Sequence, residues 1–298
     1  MSKRWKLQLP LHLMIMPGLL LILVYQYVPM AGLVIAFMDY VPARGLFGSE
    51  WVGWDNFEYV FQLPDIWRVV GNTLQIAVMK IAAGLIFPII AALLLNEIAR
   101  MWFKRALQTM IYVPHFMSWI ILGGILIDLL SPGKGMINDI IAWLGWEPQF
   151  FLGDNRWFPY VLVFSDTWKD FGFNTIVYLA ALTAINPDLY EAAAIDGANH
   201  WRRTWHITLP GMRAIIILLL TLSLGQVLNA GFEQVYVLYS PQVYESGDII
   251  DTLVYRMGLV NSQFSFATAV GLFKSFVSLL LISISYWMAY RFAGYRIF

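Results

Sequence analysis

Glu191-Ala-Ala-Ala-Ile-Asp-Gly197-Ala-Asn-His-Trp-Arg-Arg-Thr-Trp-His-Ile207-Thr-Leu-Pro210 is a polar stretch set between two apolar ones. The flanking segments, near 159–184 and 213–232, each approach the length of a helix that crosses a bilayer. Such a helix needs about 20 mainly apolar residues to cover roughly 30 Å of hydrocarbon. Four further segments of this kind lie near 12–37, 73–95, 108–130 and 267–290. Six spans leave little chain for a soluble core, and their apolar surfaces are satisfied by lipid and by one another. The expectation is therefore one all-α integral membrane domain over 1–298, with 186–210 as a loop between the fourth and fifth spans.

Composition agrees. Of 298 residues, 59% are hydrophobic and 13% charged, against about a quarter charged in a soluble domain. Net charge is zero, which suggests no nucleic-acid partner, and the absence of cysteine excludes disulfides and thiol chemistry. Met1-Ser-Lys-Arg-Trp-Lys6 precedes an apolar run reaching Phe37. That run exceeds the roughly 7–15 residues of a signal peptide's apolar core, and no small-residue cleavage site closes it. An uncleaved first helix is expected.

The distribution of charge orients the spans. With the N-terminus inside, inner segments hold Lys3, Arg4, Lys6, Arg100, Lys104, Arg105, Arg202, Arg203, Arg213, Arg291 and Arg296. Outer segments hold only Arg44, Arg68, Lys134, Arg156 and Arg256. The positive-inside rule then places both termini, and the 186–210 loop, in the cytoplasm. Trp51, Trp54, Tyr59 and Trp67 in the first outer loop fit an aromatic girdle at headgroup level. Pro17, Pro29, Pro88 and Pro114 sit within or beside spans and are expected to mark kinks. A partial helix is expected around Asp251–Val260.

Within the loop, Asn186-Pro187-Asp188 reads as a helix start: an Asn cap, Pro at the first helical position, and an acid at the positive end of the dipole. Gly197 fits the left-handed residue that closes a helix. Ala192, Ala193, Ala194 and Ala198 give this short helix a surface that another protein can approach closely. Trp201, Arg202, Arg203 and Trp205 suit a following helix at the membrane interface. By residue chemistry alone, an ordinary interfacial helix–turn also fits.

The spacing adds more. Glu191, Ala192, Ala193, Gly197, Ile207, Leu209 and Pro210 follow the pattern E-A-A, three residues, G, nine residues, I-x-L-P. In this pattern the chain resembles the permease subunits of bacterial ATP-binding-cassette importers. The resemblance to their carbohydrate-uptake branch extends over nearly the whole chain: Gly53-x-x-Asn56-Phe57, Asn72-Thr73-Leu74, Trp168–Phe173 with Leu179–Leu182, and Asp251–Gly258. The details look most like importers of polysaccharide-derived oligosaccharides, including uronic-acid fragments.

The resemblance implies a type I importer permease fold and an assembly. Its members would be a second permease (a hetero-pair), two cytoplasmic ATPases that bind ATP and Mg, an external solute-binding protein, an oligosaccharide and the lipid bilayer. It assigns Glu191, Ala192, Ala193, Asp196, Gly197 and Ala198 to the ATPase contact. No cofactor and no metal is expected on this chain. Gly133-Lys134-Gly135 lacks the flanking residues of a P-loop, and Lys274-Ser275 follows Phe273 rather than glycine.

Charges inside spans are costly and point to function. Lys80, Asp128, Asp166, Lys169, Asp170 and Lys274 qualify. Lys80 and Lys274 read as snorkelling or structurally paired side chains. Asp166, Lys169 and Asp170 share one helical face, as a substrate contact or a salt-bridged cluster. Gln226, Asn229 and Glu233 recur at helical spacing, as a polar stripe that glues helices or lines a path. The resemblance favours a substrate path of Trp168, Lys169, Asp170, Asn174, Gln226, Asn229 and Glu233. Phe171, Phe173, Tyr178 and Phe232 are further aromatic candidates, and Lys169 is the candidate counter-charge for an acidic sugar.

Rival classes have less support. His12, His115, His200 and His206 form no zinc-protease pattern, and there is no G-x-S-x-G elbow, so no catalytic residue is assigned. A gradient-driven secondary transporter would show inverted repeats, and none is evident. A permease for another solute class, such as peptides, is the nearest alternative.

Overall fold

Backbone groups in hydrocarbon must satisfy one another, so each apolar segment is expected to coil into a helix. The structure, a computed structural model, describes residues 3–293. Lys3, Arg4, Lys6 and Arg296, used above for orientation, have side chains outside the described set.

The first span is helix α1 (Lys3–Ile22), continued by a π turn at Leu23–Tyr27, a short α segment at Val28–Met30 and a 3-10 stretch over Ala31–Phe37. Two short strands follow, β1 (Met38–Asp39) and β2 (Glu50–Trp51), paired antiparallel with Met38 opposite Trp51. Helix α2 (Asp55–Gln62) comes next. The Gly53-x-x-Asn56-Phe57 element has a local purpose here. Asn56 donates to the carbonyls of Ala36 and Met38 at 3.0 and 2.9 Å, and Phe57 is buried against Phe37.

Helix α3 (Ile66–Asn96) runs 31 residues without interruption, Pro88 included. Asn72 at its start donates to the carbonyls of Glu245 and Asp248, while Thr73 accepts from the Ile250 amide at 2.9 Å. Those contacts explain the Asn72-Thr73-Leu74 element. Helices α4 (Met101–Tyr112) and α5 (Trp119–Leu129) follow, then α6 (Met136–Trp143) in the 131–157 stretch. Buried Asn138 organises that stretch, exchanging hydrogen bonds with the Gln149 backbone in both directions.

Helix α7 (Phe158–Thr183) packs along α3. Then come α8 (Pro187–Ile195), α9 (His200–Arg203), α10 (Arg213–Gly225), α11 (Phe232–Leu238), α12 (Ile250–Tyr255) and α13 (Phe264–Ala293). A π turn at Arg256–Val260 extends α12, so the expected partial helix is present. On α13, Lys274 pairs with Asp251.

Two spans differ from the expected simple helices. Residues 108–130 are not one helix. A 3-10 turn at Val113–Phe116, built on Pro114, and a break before the Ser118 cap bend the chain by 101° between α4 and α5. The segment 213–232 is helical only to Gly225; Gln226–Gly231 leave the helix, and Phe232 begins α11. A second bend of 58° separates His200–Gly211 from α10.

Among the described residues, three helical stretches are long and apolar enough to cross a membrane unaided: Pro10–Phe37, Ile66–Asn96 and Phe264–Met288. The two bent pairs add up to two more. Helix α7 is 26 residues long and contains Asp166, Lys169 and Asp170. Contacts divide the chain into a smaller unit, up to Pro64 with Val254–Phe273, and a larger one, Asp65–Leu253 with the chain from Lys274. Both regions developed below lie in the larger unit.

Candidate functional site

Two features stand out: a short exposed helix in the 186–210 loop, and a polar cavity among α3, α7 and α10.

The loop helix α8 forms as its sequence dictates. The Asn186 side chain accepts from the Asp188 amide at 3.0 Å, and Pro187 takes the first helical position. At the other end Gly197 has φ of 72°. Its amide bonds the Ala194 carbonyl at 3.1 Å, and the Ala198 amide bonds that of Ala193 at 2.9 Å. This is the double closure of a Schellman motif, which needs a residue free to adopt positive φ. Glu191, Ala192, Asp196 and Gly197 are exposed, Ala193 and Ala198 partly so. Leu189 and Ile195 project into the open, Ile195 at 87% exposure.

Behind α8 the segment is tied to the helix bundle. Tyr190 Oη lies 3.0 Å from Thr208 Oγ1. Beneath lies a core of Ala92, Tyr178, Leu182 and Met212, packed by Ile89, Leu93 and Ile185. Asn199 caps α9 by accepting from the Arg202 amide, and His200 lies 3.7 Å from Glu97.

The cavity encloses about 400 Å³. Its polar lining includes Lys80, Asp166, Asp170, Asn174, Gln226 and Asn229, with Phe171 as its aromatic wall. Lys80 Nζ, on α3, reaches Asp166 Oδ1 at 3.0 Å and the Ala230 carbonyl at 2.7 Å, and also bonds Gln234 Oε1. Gln234 in turn donates to the Leu162 carbonyl and Ser165 Oγ, both at 2.7 Å. Gly231 has φ of 92°, and a Cβ there would sit 2.8 Å from Lys80 Nζ. The break after α10 is thus clamped by a lysine from α3.

The sequence-derived path is partly assembled. Asp170, Asn174, Gln226 and Asn229 line one cavity. Gln226, Asn229 and Glu233 do not form a helical stripe, because the helix ends at Gly225. Asn229 instead turns back to bond Gln226 Oε1, while Glu233 is exposed at the start of α11 and does not line the cavity. Lys169 is buried and points away: it donates to the His115 carbonyl at 2.7 Å, with its ammonium 5.7 Å from the Trp119 ring centre. Asp170, 3.7 Å from Lys169, meets His115 Nδ1 at 2.8 Å.

Trp168 is half-exposed and outside the cavity lining. Phe173 stacks on His115 at 4.0 Å, and Tyr178 belongs to the core under the loop. The residues missed in the sequence are Lys80 as a cavity group, Thr167 and Ser223 in the lining, and Gln234 as the organiser of Lys80. The glycines at 225 and 231 were the signal that a break, not a stripe, lies between them.

Comparison with known proteins places this geometry. The chain is 45% identical over 282 residues to the polygalacturonan/rhamnogalacturonan transport system permease protein YteP of Bacillus subtilis (strain 168), covering 95% of this chain and 88% of that relative. It matches, with TM-score 0.90 and 37% identity, a chain in the crystal structure of a bacterial ABC transporter involved in the import of the acidic polysaccharide alginate. That match covers 97% of this chain and 98% of the other. A bacterial alginate ABC transporter in complex with alginate pentasaccharide-bound periplasmic protein matches with TM-score 0.89 and 37% identity, over 97% and 96% of the two chains. The family described as binding-protein-dependent transport system inner membrane component matches residues 84–294. This chain belongs to that family.

Proposed function

We propose that this chain is one permease half of an ATP-driven importer that carries oligosaccharides inward across a bacterial cytoplasmic membrane. The observation that carries the reading is the pairing of two sites in one chain: a cavity of carboxylate and amide groups at a broken span, and a capped, exposed helix on the loop below it. Sugars are recognised by such groups, which accept and donate to many hydroxyls, with an aromatic face covering C–H surface. Asp170, Asn174, Gln226, Asn229 and Phe171 supply both within the cavity. Relatives that carry polygalacturonan, rhamnogalacturonan or alginate in their names support a carbohydrate over a peptide.

On this reading the chain crosses the membrane six times, with both termini and the 186–210 loop inside. ATP and Mg are bound by two separate ATPase subunits, one of which receives Glu191–Ala198. A second, non-identical permease completes the path. An external binding protein delivers the solute, as the periplasmic protein in the alginate complex suggests by analogy. The permease contributes binding groups and movement, while the chemistry of hydrolysis stays with the ATPases.

The test is uptake of a labelled oligosaccharide by cells carrying the complete system. Uptake that collapses on ATP depletion and survives loss of the ion gradient is the expected result. The reverse would make the chain part of a gradient-driven carrier.

A further inference from the structure

The cavity contains one basic side chain, Lys80, and it is already engaged by a carboxylate. Its partner Asp166 comes from the neighbouring helix, and its other two acceptors, the Ala230 carbonyl and Gln234 Oε1, are neutral. Lys80 is 9% exposed and Asp166 28%, so the pair sits at the cavity wall with the carboxylate on the wetter side. Asp170, the other carboxylate in the lining, has its own partners in His115 and Lys169.

A second group is idle. Thr167 Oγ1, in the same lining, is enclosed and has no hydrogen-bond partner. Hydroxyls inside helices ordinarily bond the carbonyl four residues back. Ser165 and Thr175 on the same helix do so, to Val161 and Phe171. Thr167 departs from its neighbours, its hydroxyl left unpaired behind the same lining.

We propose that Lys80 is the specificity-determining residue of this path, exchanging Asp166 for a carboxylate of an acidic oligosaccharide. The proposal rests on the oligosaccharide reading above and names the class within it: uronic-acid-containing fragments. The physical argument concerns the cost of exchange. An ammonium in a low-dielectric wall cannot lose its counter-ion without being left as an uncompensated buried charge, at large cost. A neutral sugar offers no replacement charge and must pass beside a closed pair. A uronate offers a carboxylate for a carboxylate, so the ammonium stays neutralised while Asp166 swings to the wetter side. This role falls to Lys80 rather than Lys169, which is spent on the His115 carbonyl.

The experiment uses the assembled transporter, with its partner permease, ATPases and binding protein, in proteoliposomes. Uptake is compared for trigalacturonate and for the same trisaccharide with its carboxyls reduced to hydroxymethyl groups. The binding protein is the same in every arm, so its own preference cancels when each variant is divided by wild type. Lys80→Gln is expected to lower the acidic-to-neutral ratio on the order of tenfold, the scale of a lost charge pair. Lys80→Arg keeps the ratio, which separates charge from packing. Asp166→Asn removes the internal competitor and raises the ratio. A Lys80→Gln effect equal for both sugars, or an Asp166→Asn ratio at or below wild type, overturns the assignment and leaves the oligosaccharide reading standing. A wild-type transporter that takes up neither trisaccharide overturns both.

Discussion

Lys80 on α3 and Asp166 on α7 hold each other at 3.0 Å, and through the Ala230 carbonyl the same ammonium holds the broken end of the fifth span. Three separate segments therefore meet at one nitrogen. Removing either charge strands the other against a low-dielectric wall, which costs about 3–5 kcal/mol, whereas replacing both with apolar groups is near neutral. Thermal unfolding of the purified assembly should show a large loss for Lys80→Met. Part of that loss should be recovered in Lys80→Met/Asp166→Leu, the rest being the Ala230 and Gln234 acceptors left without their donor. A double variant no better than the single would mean the pair is incidental to stability.

Gln234 and Glu233 are adjacent and should behave as opposites. Gln234 is fully buried, donates twice and accepts from Lys80. Gln234→Leu should destabilise by about 1–3 kcal/mol per buried group left unpaired. Glu233→Gln, at an exposed position, should stay within about 0.5 kcal/mol. Equal unfolding midpoints for the two variants would contradict this placement.

Closure of α8 depends on a left-handed residue. Gly197→Ala should cost about 1–2 kcal/mol locally and weaken transport. Gly197→Pro should abolish it, because proline cannot reach the φ of 72° and lacks the amide that bonds Ala194. Glu191→Lys should also abolish transport, by reversing charge on the exposed face. Solute binding by the external protein should be unchanged in all three. Normal uptake by the proline and lysine variants would remove the coupling role.

Within the cavity, Asn174→Ala and Gln226→Ala each delete amide groups facing the open volume. Each should raise the KM for uptake several-fold, matching about 0.5–1.5 kcal/mol per hydrogen bond. A fall in maximal rate with KM unchanged would instead indicate a part in the conformational cycle.

Lys169 gives the complementary control. Because its ammonium is spent on a backbone carbonyl, Lys169→Gln should slow acidic and neutral sugars alike. A selective loss of the acidic one would restore it as the counter-charge.

What the sequence revealed, and what it withheld, follows the range of the interactions. Helix α8 was legible because its determinants are local: Asn186, Pro187 and Gly197 act within a turn of where they sit. The all-α membrane architecture was legible from segment length alone. The bend at Ser118 was not, since an apolar run reads the same whether or not its helix is continuous, and the break at Gln226–Gly231 was signalled only by the glycines beside it. In the sequence Lys80 and Lys274 read as structural and Lys169 as the counter-charge for a sugar. Tertiary packing reverses the first and third assignments: α3 lying along α7 sends Lys80 to the cavity and leaves Lys169 behind it, while Lys274 pairs separately with Asp251.

The doubly capped α8 carries a mechanical consequence. Nine residues make a rod of about 13 Å, far too short to persist as an isolated helix in water. Fraying ends would absorb a load applied to such a rod. With Asn186 pinning one end and Gly197 locking the other, α8 behaves as a stiff strut, and the Tyr190–Thr208 contact fastens it to the frame. If α8 takes the proposed ATPase contact, a push on its exposed Ala192 and Ala194 would pass to the helices behind it without being lost to unwinding.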